Sequence, residues 1–155
     1  MNSKPLVGIV MGSKSDSDVM SECEKMLKKL DICFEVTVSS AHRSPDKTRH
    51  YAITAAARGI EVLVGGAGWA AHLAGALASN TVLPVIGVPI DSSPLAGIDS
   101  LLSTVQMPPG VPVATMAIGK GGAKNAAVLA AQILALKHPD IAKRLQLFKD
   151  ELRGD

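Results

Sequence analysis

The chain has 155 residues, 47% of them apolar and only 3% aromatic, with 16 basic and 14 acidic side chains giving a formal charge of +2. That length fits a single domain, 1–155, with a core built from Ala, Val, Ile and Leu. Near-balanced charge argues against nucleic acid or an anionic membrane as the main partner, and Cys23 and Cys33, without metal-ligand spacing, read as reduced thiols of a cytoplasmic protein.

The first predicted strand is Leu6–Met11, an apolar run too short for a targeting segment and ended by Gly12-Ser13-Lys14. A helix follows Asp16-Ser17 and sets Val19, Met20, Cys23, Leu27 and Leu30 on one face. The second strand is Phe34–Ser39. The second helix starts after Ser44, with Pro45 at the favoured first position, and runs to about Arg58-Gly59. Strand three is Glu61–Gly65, helix three spans about Trp69 to Ser79, and strand four is Pro84–Ile90. A weaker helix covers Ile98 to Gln106, stopped by Pro108-Pro109-Gly110. Strand five is Val113–Ile118, helix five runs from about Ala123 to Lys137, and a helical segment from about 138 follows Pro139-Asp140.

Between Val62 and Ile90 no Asp, Glu, Lys or Arg occurs, a length that would permit a membrane span. Gly65-Gly66, Gly68, His72, Asn80, Pro84 and Pro89 instead cut it into strand, helix and strand, so no membrane role is expected.

Strands alternating with helices call for a parallel sheet covered on both faces, a three-layer α/β/α fold. Right-handed crossovers gather the strand-to-helix turns along one edge, where ligands of such sheets bind. The helices around Ala70–Ala78 and Ala126–Leu136 are apolar nearly all round and need cover on every side. In a chain this small that predicts a homo-oligomer.

Three turns carry candidate chemistry. After strand one, Gly12 allows close backbone approach, Ser13 and Ser15 offer hydroxyls, and the following helix start offers free N–H groups to a phosphate. Asp16 suits a helix cap or sugar hydroxyls; the turn also reads as an ordinary serine-rich cap, and it lacks Walker spacing. After strand two, Ser40-Ala41-His42-Arg43-Ser44-Pro45 puts an imidazole beside a guanidinium. Arg43 can hold a phosphate through two parallel bonds, and His42 can carry protons near neutral pH. After strand three, Gly66, Gly68 and Ala71 fit the loose dinucleotide pattern G-x-G-x-x-A, with Asp91 downstream, but not after a first strand. His72, inside the apolar helix, reads by itself as a satisfied core or interface histidine.

Other features are weaker. His50 sits on a solvated face, His138 at a helix boundary, and Gly119–Lys124 serves either as a phosphate turn or as tight geometry. No metal-site grouping of His, Cys and carboxylates is evident.

The runs Gly12-Ser13-Lys14-Ser15-Asp16, Ser40-Ala41-His42-Arg43-Ser44-Pro45-Asp46 and Gly66-Ala67-Gly68 leading to Ala70-Ala71-His72-Leu73 together resemble one family. It is the 5-(carboxyamino)imidazole ribonucleotide mutases of purine synthesis. The resemblance continues through Leu83–Pro89, Asp99–Pro108, Gly110–Thr115 and Ala123–Ala127, and so covers Val7 to about Leu136. It implies a flavodoxin-like subunit of a homo-octamer and a reaction without metal or organic cofactor. It implies His42 as general acid/base, Ser13, Asp16 and Arg43 as ribonucleotide-binding residues, and Gly12, Ser40, Ala41, Gly68 and His72 around the site. Trp69 stands where a smaller residue is expected, and Ala74 where proline is frequent. Related direct carboxylases carry Lys in place of Arg43 and lack the Ala-Ala-His-Leu run. The alternatives are such a direct carboxylase, or a non-catalytic nucleotide-binding module resting on the G-x-G-x-x-A run.

Overall fold

In the computed structural model, which describes residues 4–154, the chain alternates strand and helix as its pattern predicts. Residues 1–3 and 155 of the expected 1–155 domain lie outside the described residues. β1 (Val7–Met11) leads through a 3-10 turn, Lys14–Asp16, into α1 (Ser17–Lys29). β2 (Phe34–Val38) precedes α2 (Pro45–Ala55), where Pro45 opens the helix at a position whose N–H has no partner to lose. β3 (Val62–Gly68), α3 (Leu73–Ala78), β4 (Val85–Ile90) and α4 (Ile98–Val105) come next. β5 (Ala114–Thr115), α5 (Lys120–Ala135) and α6 (Pro139–Arg153) complete the described chain.

The five strands form one sheet in the order β2-β1-β3-β4-β5, parallel at every pairing. β1 lies inside the sheet between β2 and β3, with Val7 paired with Phe34 on one side and Val62 on the other. The chain leaves β1 one way for β2 and returns past it to β3, so the carboxyl ends of β1 and β3 border the point where strand order reverses. This is the flavodoxin-like three-layer α/β/α arrangement.

Alternation along each strand divides the core. Val7, Ile9 and Met11, with Val62, Val64, Ile86 and Val88, pack against α1 and α5. Val10, Leu63 and Val85 pack on the opposite face with Tyr51 and Ala52 of α2 and Leu73 and Leu77 of α3. The uncharged stretch from Val62 to Ile90 is β3, α3 and β4, and no helix among the described residues is long and apolar enough to cross a membrane.

Several boundaries differ from expectation. β3 runs three residues further than the sequence suggested, because Gly66, Ala67 and Gly68 pair with Val88, Pro89 and Ile90. α3 accordingly begins at Leu73 rather than Trp69. β5 shrinks to Ala114–Thr115, although Met116 and Gly119 still donate backbone bonds to Gly87 and Pro89. The apolar α5 needs less outside cover than its composition implied. Its alanines Ala123, Ala126, Ala127, Ala130 and Ala131 are fully buried in the core cluster that also holds α1 residues and Ile141 and Phe148 of α6.

Candidate active site

The turns after β1, β2 and β3 converge at the carboxyl edge of the sheet on a cleft of about 520 Å³. Gly12, Ser13, Ser15 and Asp16 line it from the first turn, Ser40 to Arg43 from the second, and Ala67 to Leu73 from the third.

The first turn is locked by its own polar groups. Ser13 is the cap residue, with extended backbone, and its N–H donates to Asp16 Oδ2 at 2.8 Å. Its Oγ accepts from the Ser15 N–H at 3.3 Å and from the Ser15 hydroxyl at 2.9 Å. This reciprocal cap satisfies donors that a helix start otherwise leaves open. Asp16 is only 4% exposed. Burial pushes its carboxyl above the ordinary range, and the Ser13 hydrogen bond and the Arg43 charge offset only part of that.

The second turn is pinned at both ends. Ser39 donates its N–H to the Met11 carbonyl at 2.8 Å, and its buried hydroxyl pairs with Thr48 of α2 at 2.8 Å. Ser40 sets the direction of Arg43: its Oγ accepts the Arg43 backbone N–H at 3.2 Å and Nε at 3.4 Å. Ala41 is buried beneath, leaving His42 and Arg43 exposed toward the cleft.

The third turn departs most from the sequence reading. His72 is not inside a helix. It is the residue just before α3, exposed, and its ring stacks on that of His42 with centroids 5.3 Å apart and planes 30° from parallel. Extension of β3 through Gly68 moved the helix start and brought the imidazole to the sheet edge. Trp69 has φ of 55°, the left-handed region, and is 60% exposed on the cleft wall. For a bulky side chain that conformation costs about 1–2 kcal/mol.

The dinucleotide pattern does not form the loop it needs. Gly66 lies within β3, and a Cβ there would come within 2.3 Å of Met20 Sδ, so this glycine admits α1 to the sheet. Gly68 ends the strand, and a Cβ there would strike the Ser92 hydroxyl. Asp91 lies against Gly97 and Gly119 rather than in the cleft. The motif that supported a nucleotide-binding module therefore serves strand pairing and packing. The Gly119–Lys124 run likewise resolves as geometry. Gly122 sits hard against the Ala117 carbonyl, and Lys120 pairs with Asp18 at 2.9 Å.

One lining residue escaped the sequence reading: Ser92, two residues past β4. Its place at the carboxyl end of a strand is the signal that could have found it. His50 is exposed on α2, and His138 precedes α6 and bonds Glu61 at 3.2 Å, away from the cleft. No group of three or more His, Cys, Asp or Glu side chains among the described residues is placed to hold a metal ion.

The cleft thus combines hydroxyls, a guanidinium at a helix start and two stacked imidazoles, an arrangement suited to an anionic group at one point and proton transfer at another. Residues 6–155 match the family described as AIR carboxylase. The chain is 58% identical over 144 residues to the N5-carboxyaminoimidazole ribonucleotide mutase of Pseudomonas aeruginosa, covering 93% of this chain and 88% of that protein. It is 54% identical over 149 residues to the protein of the same name from Pyrococcus abyssi, covering 96% and 84%. The crystal structure of Treponema denticola PurE aligns with a TM-score of 0.87 at 28% identity, covering 97% of this chain and 92% of that one.

Proposed function

The chain belongs to the AIR carboxylase family, and on that footing we propose that it is a 5-(carboxyamino)imidazole ribonucleotide mutase of purine biosynthesis. It is an isomerase. The substrate carries a carboxylate on the exocyclic nitrogen of an aminoimidazole ribonucleotide; the product carries it on ring carbon 4. The observation that carries the reading is the meeting of His42, stacked on His72, with Arg43, Ser13 and Asp16 around one cleft.

Arg43, aimed by Ser40, and the hydroxyls of Ser13 and Ser15 bind the phosphate. Asp16 holds the first turn in shape and faces the sugar. In the reaction the nitrogen–carboxylate bond breaks as His42 delivers a proton to that nitrogen, releasing carbon dioxide into the cleft. Ring carbon 4 then attacks the trapped carbon dioxide, forming the carbon–carbon bond, and its proton passes back to His42. One proton is given and one taken, so substrate and product balance without a further reactant. Holding the two fragments together replaces a bimolecular encounter, worth about 7–11 kcal/mol at best. His72 stacks on His42 and orients it.

In a single chain the cleft is open, with both imidazoles exposed. Retaining carbon dioxide requires further cover. An apolar stripe on and beside α4, made of Leu95, Ile98, Leu102 and Val105, each at least 47% exposed, also needs cover. Both requirements support a homo-oligomer; by the family resemblance it is an octamer of single-domain subunits needing no metal or cofactor, and the two cysteines, without metal-ligand spacing, fit a cytoplasmic setting.

The family description names a carboxylase, which keeps the direct reaction as a second reading. An absorbance assay separates the two. A mutase converts the N-carboxylated ribonucleotide without added carbon dioxide, and aminoimidazole ribonucleotide with carbon dioxide turns over poorly. The reverse preference would replace the mutase reading with the carboxylase.

A further inference from the structure

Trp69 is the only tryptophan in the chain, and its position is costly in two ways. Its backbone is left-handed at φ 55°, a conformation glycine adopts freely, and 60% of this large apolar residue faces solvent. The turn itself demands the geometry. Gly68 is fixed by its pairing with Ile90, Ala71 is buried and donates its N–H to the Trp69 carbonyl at 2.8 Å, and α3 begins two residues later. Glycine would meet the demand without strain, and an exposed indole adds little to the core. The other non-glycine residues with positive φ among the described residues, Asp31 and Ala96, are smaller. Backbone strain of this kind concentrates at ligand clamps. Trp69 lines the cleft and lies three residues from His72, in the turn that brings that imidazole to His42.

We propose that the Trp69 indole is a packing face for the flat aminoimidazole ring of the substrate, making Trp69 a specificity-determining residue. This rests on the ribonucleotide reading above. An aromatic heterocycle seated in the cleft covers the exposed Trp69 side chain, and stacking of a base on an aromatic side chain is a substantial share of binding energy.

A single tryptophan lets fluorescence report on this residue alone. The full-length protein is titrated with 5-amino-1-(5-phosphoribosyl)imidazole-4-carboxylate and, separately, with ribose 5-phosphate. Saturable quenching or a spectral shift is expected with the imidazole compound and little change with the sugar phosphate. Trp69→Gly should raise KM about five- to hundredfold with kcat held within about threefold, the mark of lost uniform binding. Trp69→Phe should keep KM near wild type. Silent fluorescence under turnover, an equal response to ribose 5-phosphate, or a Trp69→Gly KM within about twofold of wild type would each overturn the proposal. If the glycine variant fails to fold, the wild-type titration still decides. Absence of both turnover and imidazole ribonucleotide binding would instead overturn the functional reading on which this one rests.

Discussion

Replacing Asp16 tests whether a helix cap or a charge is what the first turn requires. Its carboxylate is nearly inaccessible, and Oδ2 is the acceptor for the Ser13 N–H at 2.8 Å. Asp16→Ala strands that N–H. A buried donor left without a partner costs about 1–3 kcal/mol, and loss of a cap costs a similar about 0.5–2; these describe one interaction and are not added. Ser13 is only half-buried, so water restores part of the bond, and removal of a desolvated charge offsets more. The expected net loss is about 1 kcal/mol, or about 2–4 °C in Tm for a chain of this size at fixed protein concentration. Asp16→Asn keeps an acceptor for Ser13 and removes the charge, so it should match or exceed wild type in urea unfolding at neutral pH. The pH dependence has a definite sign. Burial raises the folded carboxyl above its ordinary 3.8, so the folded state holds the proton more tightly than the unfolded chain. Wild-type stability relative to Asp16→Asn must therefore fall as pH rises from 3.8 toward the folded value, then level off. An alanine variant as stable as the asparagine variant at pH 7, or a relative stability that climbs across that range, would refute the reasoning.

Other outcomes follow from the same geometry. His42→Asn should lower kcat about 10²–10⁴-fold while ribonucleotide still binds, measured by turnover and calorimetry; near-normal turnover would remove His42 from proton transfer. Arg43→Ala should act mainly on KM, and Arg43→Lys should rescue it incompletely because a point charge cannot supply two parallel bonds. Cys23 is wholly buried, and burial pushes its thiol up to about 12. At pH 8 its thiolate fraction is about 10⁻⁴, so Ellman's reagent should reach Cys23 only after denaturation.

The sheet was readable because its signals are local. Runs such as Leu6–Met11 and Pro84–Ile90 are bounded by glycine, serine and proline, and Pro45 marks its helix start at the residue. That His42, Arg43, Ser13 and Asp16 share one cleft was readable for the same reason: each lies in the turn that follows a strand, where the edge rule looks for ligands. The third turn was opaque because its outcome depends on pairing between distant segments. Nothing local says that Gly66-Ala67-Gly68 continues as strand; Val88-Pro89-Ile90 alongside decides it. That one register choice turned a core histidine into an edge imidazole and a nucleotide motif into a packing surface. The cover of α5 was hidden likewise, since it depends on where α6 folds back.

No described residue beyond Ser92 lines the cleft. The cleft lining is thus complete before α4, α5 and α6 begin. This later part of the chain can vary its outward face, such as Leu102 and Val105, without disturbing the cleft lining. Its inward face has no such freedom: a run of alanines with no accessible surface leaves no room for a larger side chain.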